Sequence, residues 1–339
     1  MIQDAIQQLL DGDDLTRTEA CAVMEEIMSG EATSAQIAGF LVALRAKGET
    51  ADEIAGCAEA MHAHVLPIHP TREDVVDVVG TGGDGAATFN ISTTAAIVAA
   101  SAGAGVAKHG NRAVSSVSGS ADVLEALGFT LELTPDRVAT SIDQLGFGFM
   151  FAPLHHPAMR HAAPVRRELG TRTIFNVLGP LTNPAGARGG IFGVYSADLV
   201  RTIADVLVAL GSRRAYVVHG ANGIDELSPA GPNLVCEVVD GSIRERTIDA
   251  LELGLERCDP GELAGGTPQE NARTAREILA GARGGKRDAV LLNAAGAIAT
   301  AGHAADLREG IALAGDAIDS GRAGERLDEL VRFSQGESR

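Results

Sequence analysis

Val78-Val79-Gly80-Thr81-Gly82-Gly83-Asp84-Gly85, running on through 86–89 into Asn90-Ile91-Ser92-Thr93-Thr94, is the stretch on which the reading of this 339-residue chain turns. A β-branched run enters four glycines in six residues, and small hydroxyl residues then open an alanine-rich helical pattern. Glycine lets backbone N–H groups approach an anion with no Cβ in the way, and hydroxyls at a helix start add donors at the positive end of its dipole. The stretch reads as an anion cradle between a strand and a helix, although a tight turn without any ligand is spelled the same way.

Beyond the cradle, short β-branched runs alternate with helical patterns, as an α/β domain built on a mostly parallel sheet requires. Strands are expected at 75–79, 105–108, 129–133, 148–151, 191–194 and 215–218, and Asp240-Gly241 within 235–247 spells a hairpin turn. Thr134-Pro135 and Thr267-Pro268 with Glu270 mark helix starts, and 157–169 reads as one helix carrying Arg160, Arg166 and Arg167. Before the cradle the texture is purely helical. Thr16 with Glu19, Thr33 with Gln36 and Thr50 with Glu53 are capping boxes, each opening an amphipathic run. Met24, Ile27 and Met28, then Ile37, Phe40, Leu41 and Leu44, then Ile54, Cys57 and Met61 form the apolar faces, with stops at Gly30 and Gly48. Pro67 and Pro70 close this unit.

Charge narrows the function. With 45 acidic against 28 Lys and Arg residues the net is -17, which opposes binding to nucleic acid or an anionic membrane. No apolar run reaches the roughly 18 residues of a membrane span, and no basic patch followed by an apolar stretch marks an export signal. Cys21, Cys57, Cys236 and Cys258 are too widely spaced for CxxC chemistry, so reduced thiols and a cytoplasmic location are expected.

Gly80-x-Gly82-x-x-Gly85 also satisfies the dinucleotide fingerprint, but the acidic residue due at the tip of the second strand is replaced by Lys108-His109-Gly110-Asn111-Arg112. Such a cationic tip suits the 2′-phosphate of NADP or a second phosphate of another ligand equally. Lys108 is one of only three lysines, none of them in a nucleotide P-loop, and it offers a compact charge to a phosphate. The serine-rich run 114–120 offers further donors ahead of a helix, or simply an N-cap. Asp225-Glu226 follows the strand 215–218 and lies at the same sheet edge. There it either holds a divalent cation that supplies counter-charge, or is one more acidic loop in an acidic chain. His155, His156 and His161 lack zinc-site spacing. Arg166 is the arginine placed to fork a carboxylate, unless it faces solvent.

Taken together, GTGGDG at 80–85, NIST at 90–93, KHGNR at 108–112, the serines through Ser120, HHPAM, PVRRELG, RTIFNVLGPLTNP and Asp225-Glu226 closely resemble the anthranilate phosphoribosyltransferase family over nearly the whole chain. The resemblance implies an α/β fold related to pyrimidine nucleoside phosphorylases. A helical domain of 1–68, with 160–186 packing on it, would sit beside a larger domain of 69–159 and 187–339 with a mixed, mostly parallel sheet. It implies transfer of a phosphoribosyl group from phosphoribosyl pyrophosphate to the amine of anthranilate, two Mg2+ ions and a homodimer formed through the helical domain.

Carried over by position, the donor would meet Gly80, Gly83, Asp84, Thr88, Asn90, Ile91, Ser92 and Thr93, then Lys108, His109, Gly110, Asn111, Arg112, Ala113, Val114, Ser115, Ser116 and Ser120. Ser92, Asp225 and Glu226 would organise the metal. Gly80, His109, Asn111, His156, Arg166 and Pro180 would line the anthranilate route, and Lys108, Arg166 and Asp84 would carry the catalytic weight. Ala86-Ala87 and Val117 are the small departures from the motifs. A pyrimidine nucleoside phosphorylase and an NADP-linked oxidoreductase are the alternatives.

Overall fold

The β-branched run ahead of the glycines forms β1 (Val75–Gly80), near the centre of a seven-stranded sheet. The computed structural model describes residues 1–113 and 117–336, so Val114, Ser115 and Ser116 lie outside the described residues. The four N-terminal helices, α1 (Ile2–Leu10), α2 (Arg17–Met28), α3 (Ser34–Lys47) and α4 (Ala51–Ala63), pack on one another. The three capping boxes form at α2, α3 and α4 as their spelling demands, and each of the ten apolar residues expected to face inward is at most 6% exposed.

After β1 come α5 (Ile91–Ser101), β2 (Gly105–Gly110), α6 (Ser120–Ala126), α7 (Pro135–Leu145), β3 (Phe147–Phe151) and the single turn α8 (Ala152–His155). The expected strand at 129–133 does not form. Phe129, Leu131 and Leu133 alternate inward as a strand would, but their backbone finds other partners: Phe129 N–H bonds to Leu124 O and Thr130 N–H to Ser334 Oγ. Alternation reports one buried face, not a neighbouring strand. The expected helix at 157–169 is also interrupted. Pro157–Arg160 is a 3₁₀ turn, and α9 (Ala163–Leu169) starts afresh with Pro164 in its first turn, the position where proline has no hydrogen bond to lose.

The remaining elements are α10 (Phe175–Leu181), β4 (Gly189–Gly193), α11 (Asp198–Ala209), β5 (Arg214–His219), β6 (Asn233–Val239), β7 (Ser242–Ile248), α12 (Pro268–Leu279), α13 (Gly285–Thr300), α14 (Leu307–Asp319) and α15 (Arg322–Ser334). The strand order is β3-β2-β1-β4-β5-β6-β7, with the first five parallel and the last two antiparallel. The hairpin turns at Asp240 and Gly241, both left-handed at φ 45° and 80°.

Period-two alternation divides the core between the faces of the sheet. Ile191, Val218 and Val235 join one apolar cluster with α5 and α13. Phe192, Val217 and Cys236 join the other with α11, the N-terminal helices and residues of α9 and α10. The direction in which successive strands are added reverses between β1 and β4, and the carboxyl edge at such a switch point is where open α/β sheets place a ligand. Among the described residues no helix is long and apolar enough to cross a membrane, and all four cysteines are free thiols.

Candidate active site

A cleft of about 710 Å³ opens at that edge, roofed by the 3₁₀ turn, α9 and α10. Its floor is the glycine loop. Gly82, Gly83 and Gly85 all have left-handed φ, between 67° and 77°, which exposes successive N–H groups in a way residues with a Cβ adopt only with strain. A Cβ on Gly80 or Gly193 would overlap Asp225, so the loop and the acidic pair approach as closely as glycine alone permits.

Three acids gather beside the loop. Asp225 Oδ2 accepts from Gly82 N–H at 2.6 Å, Asp84 Oδ2 accepts from Asp225 N–H at 3.4 Å, and Glu226 Oε1 accepts from Ser92 N–H at 2.8 Å at the start of α5. Burial, followed by the neighbouring Asp84 carboxylate, pushes Asp225 up to about 6, and burial beside Asp225 raises Glu226 well above the usual carboxylate range. Excess negative charge of this kind invites a cation. Among the described residues no three carboxylate, imidazole or thiol side chains converge on one point to cage an ion. The oxygen donors that are present, Asp225, Glu226 and the Ser92 hydroxyl, fit Mg2+, which takes one or two carboxylates and completes its shell with water and phosphate oxygens.

Lys108 is 2% exposed, its ammonium donating to Val78 O at 2.6 Å and Ser92 Oγ at 3.3 Å. Burial pulls its pKa down, against the opposing pull of Asp77, Glu226 and Asp225. A solvated lysine is excluded.

The other end of the cleft is built around two uncharged imidazoles. His109 Nδ1 faces Gly179 O at 3.1 Å, and a carbonyl only accepts, so Nδ1 carries the proton and Nε2 is bare. His156 Nε2, 3.1 Å from His109 Nε2, must then donate. Burial lowers His109 to about 4 and His156 to about 3, so both rings are uncharged at neutral pH. Arg166 stacks on Phe175 with its guanidinium 5.1 Å from the ring centre, pairs with no carboxylate among the described residues, and has its pKa lowered by burial.

Nearly all the described residues singled out from the sequence line this one cleft: Gly80, Gly83, Asp84, Thr88, Asn90, Ser92, Thr93, Lys108, His109, Gly110, Asn111, Arg112, Ala113, Ser120, His156, Arg166, Pro180, Asp225 and Glu226. Ile91 does not, because its side chain is fully buried in the core beneath α5. Arg112 sits at the rim, already paired with Asp122 and Glu125.

Three supporting residues escaped the sequence reading. Asp77, buried under His109, accepts from the N–H groups of Val78 and His109 and from Asn183 Nδ2, and burial raises it to about 6. One acid inside Val75-Val76-Asp77-Val78-Val79 is a signal that was present. Arg172, the first residue of the motif RTIFNVLGPLTNP but given no role there, donates to Gly83 O and lies 4.2 Å over the Tyr195 ring. Asn271, remote in the chain, bonds to Asn90.

This architecture is that of a two-part glycosyl transferase: residues 3–65 match the glycosyl transferase family, helical bundle domain, and residues 72–324 match the glycosyl transferase family, a/b domain. Anthranilate phosphoribosyltransferase from Anaeromyxobacter sp. strain Fw109-5 is 54% identical over 99% of both chains, and that from Anaeromyxobacter dehalogenans strain 2CP-1 is 56% identical over 98% of both. Among solved structures, anthranilate phosphoribosyltransferase (TrpD) from Thermus thermophilus superposes with a TM-score of 0.93 at 48% identity, covering 98% of this chain and 99% of that one. The Saccharomyces cerevisiae protein of the same name, in complex with PRPP and Mg, gives 0.90 at 30% identity over 99% and 98%. The chain belongs to the anthranilate phosphoribosyltransferase family. None of these relatives is a pyrimidine nucleoside phosphorylase or an NADP-linked oxidoreductase, and both alternatives lapse.

Proposed function

We propose that the chain transfers the 5-phosphoribosyl group of phosphoribosyl pyrophosphate (PRPP) to the amine of anthranilate, releasing pyrophosphate, as a step in tryptophan synthesis. The observation that carries this reading is one continuous cleft with an N–H-rich end at the glycine loop, where the Lys108 ammonium meets three carboxylates, and a second end of two uncharged imidazoles and an aromatic ring, where the Arg166 guanidinium pairs with no carboxylate among the described residues. The first end suits a polyanionic sugar. The second suits a flat aromatic ring bearing one carboxylate.

In the reaction the bond from ribose C1 to pyrophosphate breaks, its electron pair leaving with the pyrophosphate. The amine lone pair closes the new C1–N bond, and the nitrogen sheds one proton. Glycine-loop N–H groups and the buried Lys108 ammonium stabilise the departing charge. Asp225, Glu226 and the Ser92 hydroxyl would hold Mg2+, two ions per subunit, and Asp84 beside them would orient Asp225. Bound there, the metal neutralises phosphate oxygens. Arg166 forks the anthranilate carboxylate, while His109, His156, Asn111 and Pro180 fix the ring so that the amine faces C1. An aromatic amine is a nucleophile in its neutral form, so holding it in place contributes more than acid–base chemistry does.

The helical unit of 1–68, joined by 160–186, then carries the acceptor end, a division supported by the packing of Ala162, Val165, Phe175 and Leu178 with the N-terminal helices. Met1, Leu10 and Val42 stand exposed at 62%, 66% and 48% on this unit and support a homodimer through it. Free thiols support a reducing cytoplasm. The test is the loss of anthranilate fluorescence on adding PRPP and Mg2+. No loss with either reactant in excess would refute the assignment.

A further inference from the structure

Asn271 lies in the first turn of α12, is 3% exposed, and does not line the cleft. Its side chain is nonetheless one end of a chain of amides that reaches the cleft wall. Asn271 Oδ1 accepts from Gly266 N–H at 2.8 Å, and Asn271 Nδ2 donates to Asn90 Oδ1 at 3.0 Å. Asn90 Nδ2 donates to Ser118 O at 3.1 Å, and Ser118 Oγ returns a bond to Asn90 Oδ1 at 3.2 Å.

The polarity of this chain is set by the main chain at both ends. A backbone N–H can only donate, so the atom of Asn271 facing Gly266 must be the oxygen, and its NH₂ is turned toward Asn90. A backbone carbonyl can only accept, so the atom of Asn90 facing Ser118 must be the NH₂, and its oxygen is turned back toward Asn271. The two requirements agree: flipping Asn271 would break both of its contacts, and flipping Asn90 would break those with Asn271 and with Ser118 O. Asn90 and Ser118 both line the cleft, Asn90 at the entry to α5 and Ser118 just before α6. The segment that carries Asn271 is itself tied to the end of the glycine loop, where Gly265 N–H bonds to Ala87 O and Phe89 N–H to Leu263 O.

We propose that Asn271 is a positioning residue for the phosphoribosyl donor, acting through the orientation of the Asn90 amide to hold Ser118 against the N-terminus of α5. The proposal rests on the reading of the glycine-loop end as the PRPP site. Asn271 touches no substrate; it decides which way a residue in the cleft wall points.

Asn271→Asp keeps size and shape but sets an acceptor against Asn90 Oδ1. Calorimetric titration with PRPP in Mg2+ should show a dissociation constant about tenfold higher than wild type, the usual cost of one misdirected buried hydrogen bond. Anthranilate affinity, followed by its fluorescence, should stay within about twofold on the same arithmetic. In an Asn90→Ala background the Asn271→Asp change should alter PRPP affinity by less than about twofold, because its route is already cut. Asn271→Ala, which removes the donor without adding charge, is measured beside it and should weaken PRPP in the same selective way; if the Asp variant does not fold, the Ala variant decides.

Equal loss for both substrates, no loss for PRPP, or the full tenfold factor persisting without Asn90 would each overturn the role. If wild type itself takes up no PRPP, it is the functional assignment that fails. If wild type binds normally and the variants match it, only the positioning role does.

Discussion

Under the glycine loop the recognition groups are backbone N–H groups, one buried ammonium and three carboxylates, whereas under the 3₁₀ turn, α9 and α10 they are two neutral imidazoles, a proline, an aromatic ring and the guanidiniums of Arg160 and Arg166. The first set stands on β2, on the start of α5 and on the loops that leave β1 and β5, held against the sheet edge. The second is contributed largely by the short helices α9 and α10, which pack on the N-terminal helices. The contrast follows from the ligands proposed for each end. A polyanion has to be met by fixed dipoles and counter-charge that cost nothing to reorganise, and a net charge of -17 makes those few positive groups count for more. A small planar acid is selected by shape and dryness, with one charge sufficient to orient it.

The contrast breaks first at Lys108. Lys108→Met should lower kcat/KM for PRPP by roughly 10²–10³ while anthranilate affinity holds, since the ammonium serves only the donor end. Comparable losses for both substrates in steady-state kinetics would dissolve the distinction. Arg166→Ala should do the reverse, raising KM for anthranilate by about 10- to 100-fold, the range for a lost charge-assisted hydrogen bond, with PRPP changed less than about twofold.

Acid acts on the imidazole pair. His109 and His156 stay neutral in the fold down to about 4 and about 3, whereas free imidazoles take up protons near 6.5. Between those values the unfolded chain binds protons that the native chain does not, so stability is intact above pH 6.5 and falls as pH drops toward 4. About 1–2 kcal/mol per imidazole is expected to go between pH 6.5 and 5. The groups facing this pair are His155, His62 and Lys108, which also oppose its protonation. Asp77 pulls the other way: with its carboxyl raised to about 6, the native chain holds a proton the unfolded chain has lost, and stability declines as pH rises from 4 to 6. Urea midpoints across this range should slope less steeply in His156→Phe than in wild type. An unchanged slope would place the charge elsewhere.

The smallest effect belongs to the rim. Arg112 and Glu125 are 48% and 45% exposed, so Glu125→Gln should change stability by less than about 0.5 kcal/mol and KM for PRPP by less than about twofold. A larger change would mean that Arg112 belongs to the donor end proper.

Local chemistry was the part of this molecule most easily read ahead of its structure. Capping boxes at Thr16, Thr33, Thr50 and Thr267 and the Asp240-Gly241 turn formed as spelled, because each is closed by atoms within a few residues of one another. The stretch 129–133 misled for a related reason: its inward alternation is real, but what covers the buried face cannot be told from period alone. Proline at 164 could have warned that 157–169 would not run as one helix, since proline favours a first turn. Motif residues such as Lys108, Asp225 and Glu226 were visible because their types are scarce or paired. Arg172 and Asn271 were not, because one arginine among 28 basic residues, or one amide on a helix, acquires its partner only when distant segments meet.

Composition, caps and the glycine-rich strand-to-helix stretch were thus enough to determine an acidic α/β chain with a helical preface and an anion-binding edge, because those properties arise from contacts within a turn or a strand. Whether Lys108 was buried or solvated, which tautomer each imidazole adopted, and which amide faced Ser118 were decided only by the folded chain. Burial and hydrogen-bond direction are properties of what packs around a side chain, and Gly179, Gly266 and Val78 reach these groups from separate parts of the sequence.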